Sequence, residues 1–186
     1  ITNLPLSGSE PDPGLKDLLN NWAAENPKQG WSIVIQGLGE ETRYAKLNPD
    51  NIFPSASLFK LQLMYPLLQK HPYGAWDSVN TSAGKLSDCA MRMLKVSDNP
   101  CGEAVGAYLD WAKSTTQLKK IGLINTELNN KGGPTSTAGD MAIFMRELYS
   151  GNKFSPEGRD YILATLRNQT LRQGIPTGCG GCSVAN

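Results

Sequence analysis

Apolar residues recur at helical spacing along most of this chain and alternate with polar ones over only one short stretch. Leu15, Leu18, Leu19 and Trp22 share one face of a 3.6-residue period, which predicts an amphipathic helix over residues 14–25. Pro5, Gly8, Pro11 and Pro13 make the first dozen residues an extended lead-in, and Pro27 and Gly30 stop the helix. Residues 31–35 form a β-rich run, residues 36–41 hold two glycines, and residues 43–47 alternate polar with apolar, which together predict a hairpin. From Ser55 onward Leu58, Leu61, Met64, Tyr65 and Leu68 mark a single buried helical stripe that ends at His71-Pro72-Tyr73-Gly74. Residues 87–96, 102–113, 137–150 and 156–168 also carry helical periodicity, with Gly, Pro or Asn between them.

Strands and helices therefore segregate, which predicts an α+β fold: a mainly helical region inserted between sequence-distant strands of an antiparallel sheet. A hairpin alone is marginally stable. Further strands are expected to support it, and no other run in the sequence supplies them, so the sheet is expected to be incomplete in this chain. A length of 186 residues fits one domain, spanning 1–186. Within it, residues 1–51 carry the first helix and the hairpin, 52–174 the helical part, and 175–186 the approach to a further strand.

Composition removes several function classes. With 39% hydrophobic and 19% charged residues the chain is globular. A net charge of +1 gives no electrostatic reason to bind nucleic acid or an anionic membrane. No apolar run approaches 18 residues, so no transmembrane segment is expected. No basic-then-apolar leader precedes Ile1, and any secretion signal is expected to have been removed. The one histidine, His71, sits in a polar, proline-flanked stretch and is expected at the surface, so a hydrolase built on this chain would take its base from another residue type.

Cys89, Cys101, Cys179 and Cys182 allow three full pairings. Cys179 and Cys182 have C-x-x-C spacing, but no βαβ pattern leads into them, and a four-cysteine zinc site wants a second close pair where Cys89 and Cys101 stand twelve apart. Inert or disulfide-bonded thiols are expected rather than a metal or redox centre, and the count does not fix the compartment.

Ser57-Leu58-Phe59-Lys60 places a hydroxyl and an amine at i and i+3, on one helical face. Pro54-Ser55-Ala56 suits a helix start, where unpaired N–H groups and the positive dipole end favour developing negative charge. A desolvated lysine of lowered pKa can serve such a serine as base. About one S-x-x-K arises by chance in a chain this long, so taken alone the motif reads as an N-cap followed by a solvated lysine. Ser97-Asp98-Asn99 is far rarer, with ~0.03 chance occurrences expected. It also reads as a cap, with Asp98 or Asn99 starting a helix at Pro100.

S-x-x-K followed by S-D-N is the motif pair of the penicillin-recognising serine enzymes. The chain resembles the class A β-lactamase and D-alanyl-D-alanine peptidase superfamily, and its class A-like branch in particular. Residues 53–60 resemble the nucleophile segment and 96–99 the second element. Residues 135–142 resemble the helix start after the family's Ω loop, and 167–178 the approach to its third strand. The resemblance implies a β-lactamase/transpeptidase-like fold and serine acyl transfer. Its substrate would be a β-lactam, or the D-Ala-D-Ala end of a peptidoglycan stem peptide, with no cofactor. Ser57 would be the nucleophile, Lys60 its proton acceptor and Ser97 the relay to the leaving nitrogen. Asn99 would hold the substrate amide. The Ser57 N–H would be half of an oxyanion hole. Such substrates lie outside the cytoplasm, which implies a periplasmic or secreted location. The alternative from another class is a non-catalytic relative that binds a cell-wall ligand or a partner.

Three departures qualify the resemblance. Ser57 and Ser97 are 40 residues apart, which implies a trimmed helical region. The deacylating Glu-x-x-Leu-Asn element is matched by Asn125-Thr126-Glu127-Leu128-Asn129, so Asn125 takes the glutamate's place and Asn129 matches the asparagine; Glu127 would serve only in a rebuilt loop. The K-T-G strand that would follow Asn186 is expected as a continuation or on a second polypeptide, and without it the chain is expected to be poorly soluble and inactive.

Overall fold

In a computed structural model of the protein, residues 10–27, 30–38 and 43–171 are described. Helix α1 (Pro13–Glu25) starts where Asp12 accepts a hydrogen bond from the Leu15 N–H at 2.9 Å, with proline in the first turn. Asp12 also ties the helix to the hairpin, through its side chain to Arg43 at 2.7 Å and through its N–H to the Tyr44 carbonyl at 2.8 Å. Strands β1 (Ile33–Gln36) and β2 (Tyr44–Leu47) pair antiparallel, from Ile33 opposite Leu47 to Gln36 opposite Tyr44. Among the described residues this sheet stays two-stranded, in line with the incomplete sheet expected. Cys179, Cys182 and the approach to a third strand lie outside the described residues.

The remaining pairings are short. Strand β3 (Phe53–Pro54) pairs with β6 (Thr135–Ser136), and β4 (Asn80–Thr81) with β5 (Gly84–Lys85). The helical part comprises α2 (Leu58–Gln62), α3 (Met64–Lys70), a 3₁₀ turn (Tyr73–Ser78), α4 (Leu86–Lys95), α5 (Asn99–Leu109), α6 (Trp111–Lys120), α7 (Ala138–Ser150) and α8 (Pro156–Arg167). One core joins them, and Leu63, Leu67, Trp76, Leu94, Phe144 and Ile162 are among its buried members. No helix among the described residues is long and apolar enough to cross a membrane.

Three expectations need correction. The single stripe after Ser55 is broken at Leu63, because Pro66 has no N–H to offer the Gln62 carbonyl one turn earlier. The helix expected over 102–113 is two helices. Asp110 leaves the helical region at φ 71°, and its carboxylate accepts from the N–H groups of Ala112 (3.0 Å) and Lys113 (3.1 Å), capping α6. His71, expected at the surface, is half-buried, and its Nε2 lies 2.7 Å from the Tyr108 hydroxyl.

A buried polar chain holds α2, β6 and α7 together. Gln62 Nε2 donates to Ser136 Oγ at 3.0 Å, Ser136 and Thr126 hydroxyls meet at 2.9 Å, and Thr126 donates to Asp140 Oδ2 at 2.7 Å. Because the carboxylate takes the Thr126 proton, the Ser136 hydroxyl donates to Thr126, and every link runs toward Asp140. The same Oδ2 accepts the Asn125 N–H at 2.9 Å. Burial pushes the Asp140 carboxyl above the usual carboxylate range, and the Thr126 and Asn125 bonds offset part of that. Replacing Asp140 with alanine strands the Thr126 hydroxyl and the Asn125 N–H. Asp140→Ala is expected to cost about 2–6 kcal/mol, from two unpaired groups at about 1–3 kcal/mol each, measured by urea unfolding.

Candidate active site

Ser57 closes a tight turn that begins at Ser55. Leu58 N–H donates to the Ser55 carbonyl at 3.0 Å, and Ala56 inside the turn has φ 46°. Such a conformation in a non-glycine residue costs of order 1–3 kcal/mol and persists only where surroundings impose it. Here the Ser55 N–H is fixed on the Pro134 carbonyl at 2.8 Å, continuing the β3–β6 pairing, and α2 begins directly after Ser57. The serine therefore stands at the N-cap of α2, with Lys60 one turn along.

The Lys60 side chain is 1% exposed, and its Nζ collects oxygens from three places. It lies 3.0 Å from Ser57 Oγ, 3.1 Å from Ser97 Oγ, 2.7 Å from the Ser97 carbonyl and 2.6 Å from Asn99 Oδ1. Ser57, Lys60, Ser97 and Asn99 are thus brought onto one nitrogen. Burial lowers the Lys60 pKa below the ordinary lysine value, and the carboxylates of Asp98 and Glu103 pull it part of the way back.

Ser97 reaches this position from the link between α4 and α5. Its φ of 56° turns both its carbonyl and its hydroxyl toward Lys60. Asp98 then caps α5, accepting the Cys101 N–H at 2.8 Å, and its other oxygen meets Arg92 at 2.6 Å. That cap hydrogen bond, with Arg92 beside it, holds the Asp98 carboxyl below the usual range although partial burial opposes it. Asp98, rather than Asn99, is the cap, which leaves the Asn99 side chain for Lys60.

The deacylation candidates are placed otherwise. The Glu127 carboxylate accepts from Lys119 Nζ at 2.9 Å, and its backbone exchanges two hydrogen bonds with Thr135, at 3.0 and 2.8 Å. Asn129 is exposed, and Asn125 is fixed by its N–H to Asp140. No cluster of three or more metal-ligating side chains occurs among the described residues.

Three contributors were not read from the sequence. Gly102, on α5, gives Lys60 its room: a Cβ there would lie 2.9 Å from Lys60 Cε and 3.2 Å from Lys60 Cγ and Phe59 Cζ. A glycine inside a helical pattern was the available signal. Cys89 and Cys101 form a disulfide across α4 and α5, one of the pairings left open. Asp140 is the buried anchor of the loop behind β6, where only a helix start was read.

A protein-family model described as the β-lactamase enzyme family matches residues 73–186. Comparison with curated proteins gives no match. Many solved structures share the fold. That of PBP-A superposes with a TM-score of 0.76 at 20% identity, covering 93% of this chain and 75% of that one. A PBP-A mutant as an acyl-enzyme complex with penicillin G gives 0.80 at 20% identity and the same coverage. A β-lactamase from Chitinophaga pinensis DSM 2588 gives 0.75 at 16% identity, covering 84% and 71%.

A methyl group at position 102 would push on the aliphatic stem of Lys60. In a crystal structure of the Gly102→Ala protein, Lys60 Nζ is expected to have left at least one of its contacts with Ser97 and Asn99. An unmoved Nζ would mean that α5 yields instead.

Proposed function

The chain belongs to the β-lactamase enzyme family, and from that footing we propose that it is a serine acyl-enzyme hydrolase acting on β-lactams. The observation that carries the proposal is the Lys60 nitrogen within hydrogen-bond distance of two hydroxyls, Ser57 and Ser97. In its neutral form the Lys60 amine takes the Ser57 proton while Oγ bonds to the lactam carbonyl carbon. The ring C–N bond then breaks, and Ser97 gives its proton to the departing nitrogen and is reprotonated from Lys60. Asn99, with its oxygen on Lys60, keeps its NH₂ for the substrate amide carbonyl. The Ser57 N–H serves as one oxyanion donor, a group worth about 10²–10³ in rate.

A second reading is a D-Ala-D-Ala peptidase-type enzyme that β-lactams acylate and leave slowly. The engagement of Glu127 by Lys119 favours it, because that carboxylate is already paired with a lysine rather than free to serve as a base. Water-driven deacylation needs a base at the ester. Both readings place the protein in the periplasm or outside the cell, where the substrates are. The Cys89–Cys101 disulfide supports such an oxidising compartment.

Ser57→Ala is expected to abolish covalent labelling by a fluorescent penicillin, and Lys60→Ala to reduce it nearly as far, since nucleophile and base act as a unit. Undiminished labelling of the Ser57→Ala protein would assign the nucleophile elsewhere. Release of the label from the wild type, followed over hours, separates the two readings: fast loss supports the lactamase and slow loss the peptidase type.

The pH dependence is also fixed in sign. Acylation needs neutral Lys60, so its rate should rise with pH to a plateau. The Glu103 carboxylate raises the Lys60 pKa, so Glu103→Gln should move that rise to lower pH. A shift to higher pH would remove Lys60 from the role of base.

A further inference from the structure

Ser97 and Asn99 supply three of the four oxygens on Lys60, yet they sit at a three-residue link, Val96-Ser97-Asp98, with a non-glycine residue at φ 56° in its middle. A strained link of this kind relaxes unless its two ends are held. Both ends are. On the α4 side, the Arg92 carbonyl accepts the N–H groups of Val96 at 3.1 Å and Asp98 at 3.2 Å, and the Arg92 side chain meets the Asp98 carboxylate. On the α5 side, the Cys101 N–H holds the other Asp98 oxygen. Cys89 lies one helical turn before Arg92, on the same face of α4, and is bonded to Cys101, with the two Cα atoms 4.8 Å apart. Cys101 thus carries both the cap donor and the cross-link, two residues past Asn99.

We propose that the Cys89–Cys101 disulfide is a positioning pair: it locks the first turn of α5 against α4 so that the strained Ser97 and the adjoining Asn99 stay on Lys60. This rests on the acyl-enzyme reading above for its catalytic consequence and on geometry alone for its mechanical one. Both sulfurs are fully buried, so the pair is a permanent brace rather than a bond that solution thiols exchange readily. Its effect is on geometry at the reacting atoms. A misplacement of about 1 Å there can cost on the order of 10²-fold in rate, while the hydrophobic contacts of α4 and α5 keep the helices folded without it.

The test uses the full chain, oxidised, beside two cysteine-free variants. One is Cys89→Ser with Cys101→Ser; the other, Cys89→Ala with Cys101→Val, keeps the site apolar should the serine pair fail to fold. Ile162→Val in α8 serves as a control for lost stability. Each protein is assayed, well below its melting temperature, for amide hydrogen exchange and for the first-order acylation rate at saturating fluorescent penicillin. The expected result is faster exchange concentrated in residues 96–102, and acylation slowed about tenfold or more, with the control unchanged in both. Unchanged exchange in that segment would overturn the proposal. So would faster exchange with an unchanged acylation rate, which would leave the disulfide a stabilising bond and nothing more. If the oxidised wild type takes no label at all, the acyl-enzyme reading fails. The brace is then judged by exchange alone, supported by a rise confined to 96–102 and overturned by none.

Discussion

Everything at this site follows from burying one lysine. A primary amine taken out of water must find acceptors for its protons, and an ammonium must also find compensation for its charge. Lys60 meets both demands with oxygens drawn from the cap of α2, from the α4–α5 link and from the first residue of α5. The charge balance is divided. Burial favours the neutral amine, which can accept a proton from Ser57, while Asp98 and Glu103 favour the ammonium, which can return one through Ser97. The proposed role, a base that must also act as an acid, needs this intermediate setting rather than either extreme. The packing of α5 over α2 follows from the same demand, because the lysine stem fits only where Gly102 offers no side chain.

Backbone strain is placed accordingly. Asn48, Ala56, Ser97 and Asp110 are the described non-glycine residues with positive φ, and two of them adjoin or belong to the reacting group. Ala56 turns the chain so that Ser57 meets Lys60 from the start of α2. Ser97 turns it so that one residue offers Lys60 two oxygens. In each case longer-range bonds hold the unfavourable conformation: Ser55 to Pro134 behind the first, Arg92 to Asp98 and the disulfide behind the second. Strain at both places is stored where geometry matters to chemistry.

The parts of this arrangement that were legible in the sequence are the local ones. Ser57 and Lys60 are three residues apart in a helix, and Asp98 precedes a proline, so an i,i+3 face and a capped start could be read directly. The β1–β2 hairpin was equally local. The two-residue pairing of β3 with β6 joins Phe53 to Ser136, and a strand so short leaves no periodic trace. The break before α6 was hidden because apolar periodicity runs on through Asp110, and only the carboxylate's capping role marks the boundary. Pro66 lay in plain sight but was absorbed into the stripe around it. The Gln62–Ser136–Thr126–Asp140 chain could not be read at all, since its members are uncharged or of ordinary surface type, and only burial makes them partners.

In the proposed acyl-enzyme reading, that polar chain bears on the segment that carries Glu127. Any change in the placement of Glu127 would require the segment from Asn125 to Glu127 to move. Three sets of bonds oppose the movement: Asp140 on the Asn125 N–H and Thr126 hydroxyl, Thr135 on both backbone groups of Glu127, and Lys119 on its carboxylate. The Lys119 pair is partly exposed and contributes little. The buried Asp140 bonds are the strong ones, because breaking them would leave polar groups without water or partner. The register with Thr135 then fixes which way Glu127 points, since neighbouring positions on paired backbone face opposite sides. The placement of Glu127 is thus governed less by its exposed ion pair than by Asp140, a buried residue on the helix behind it.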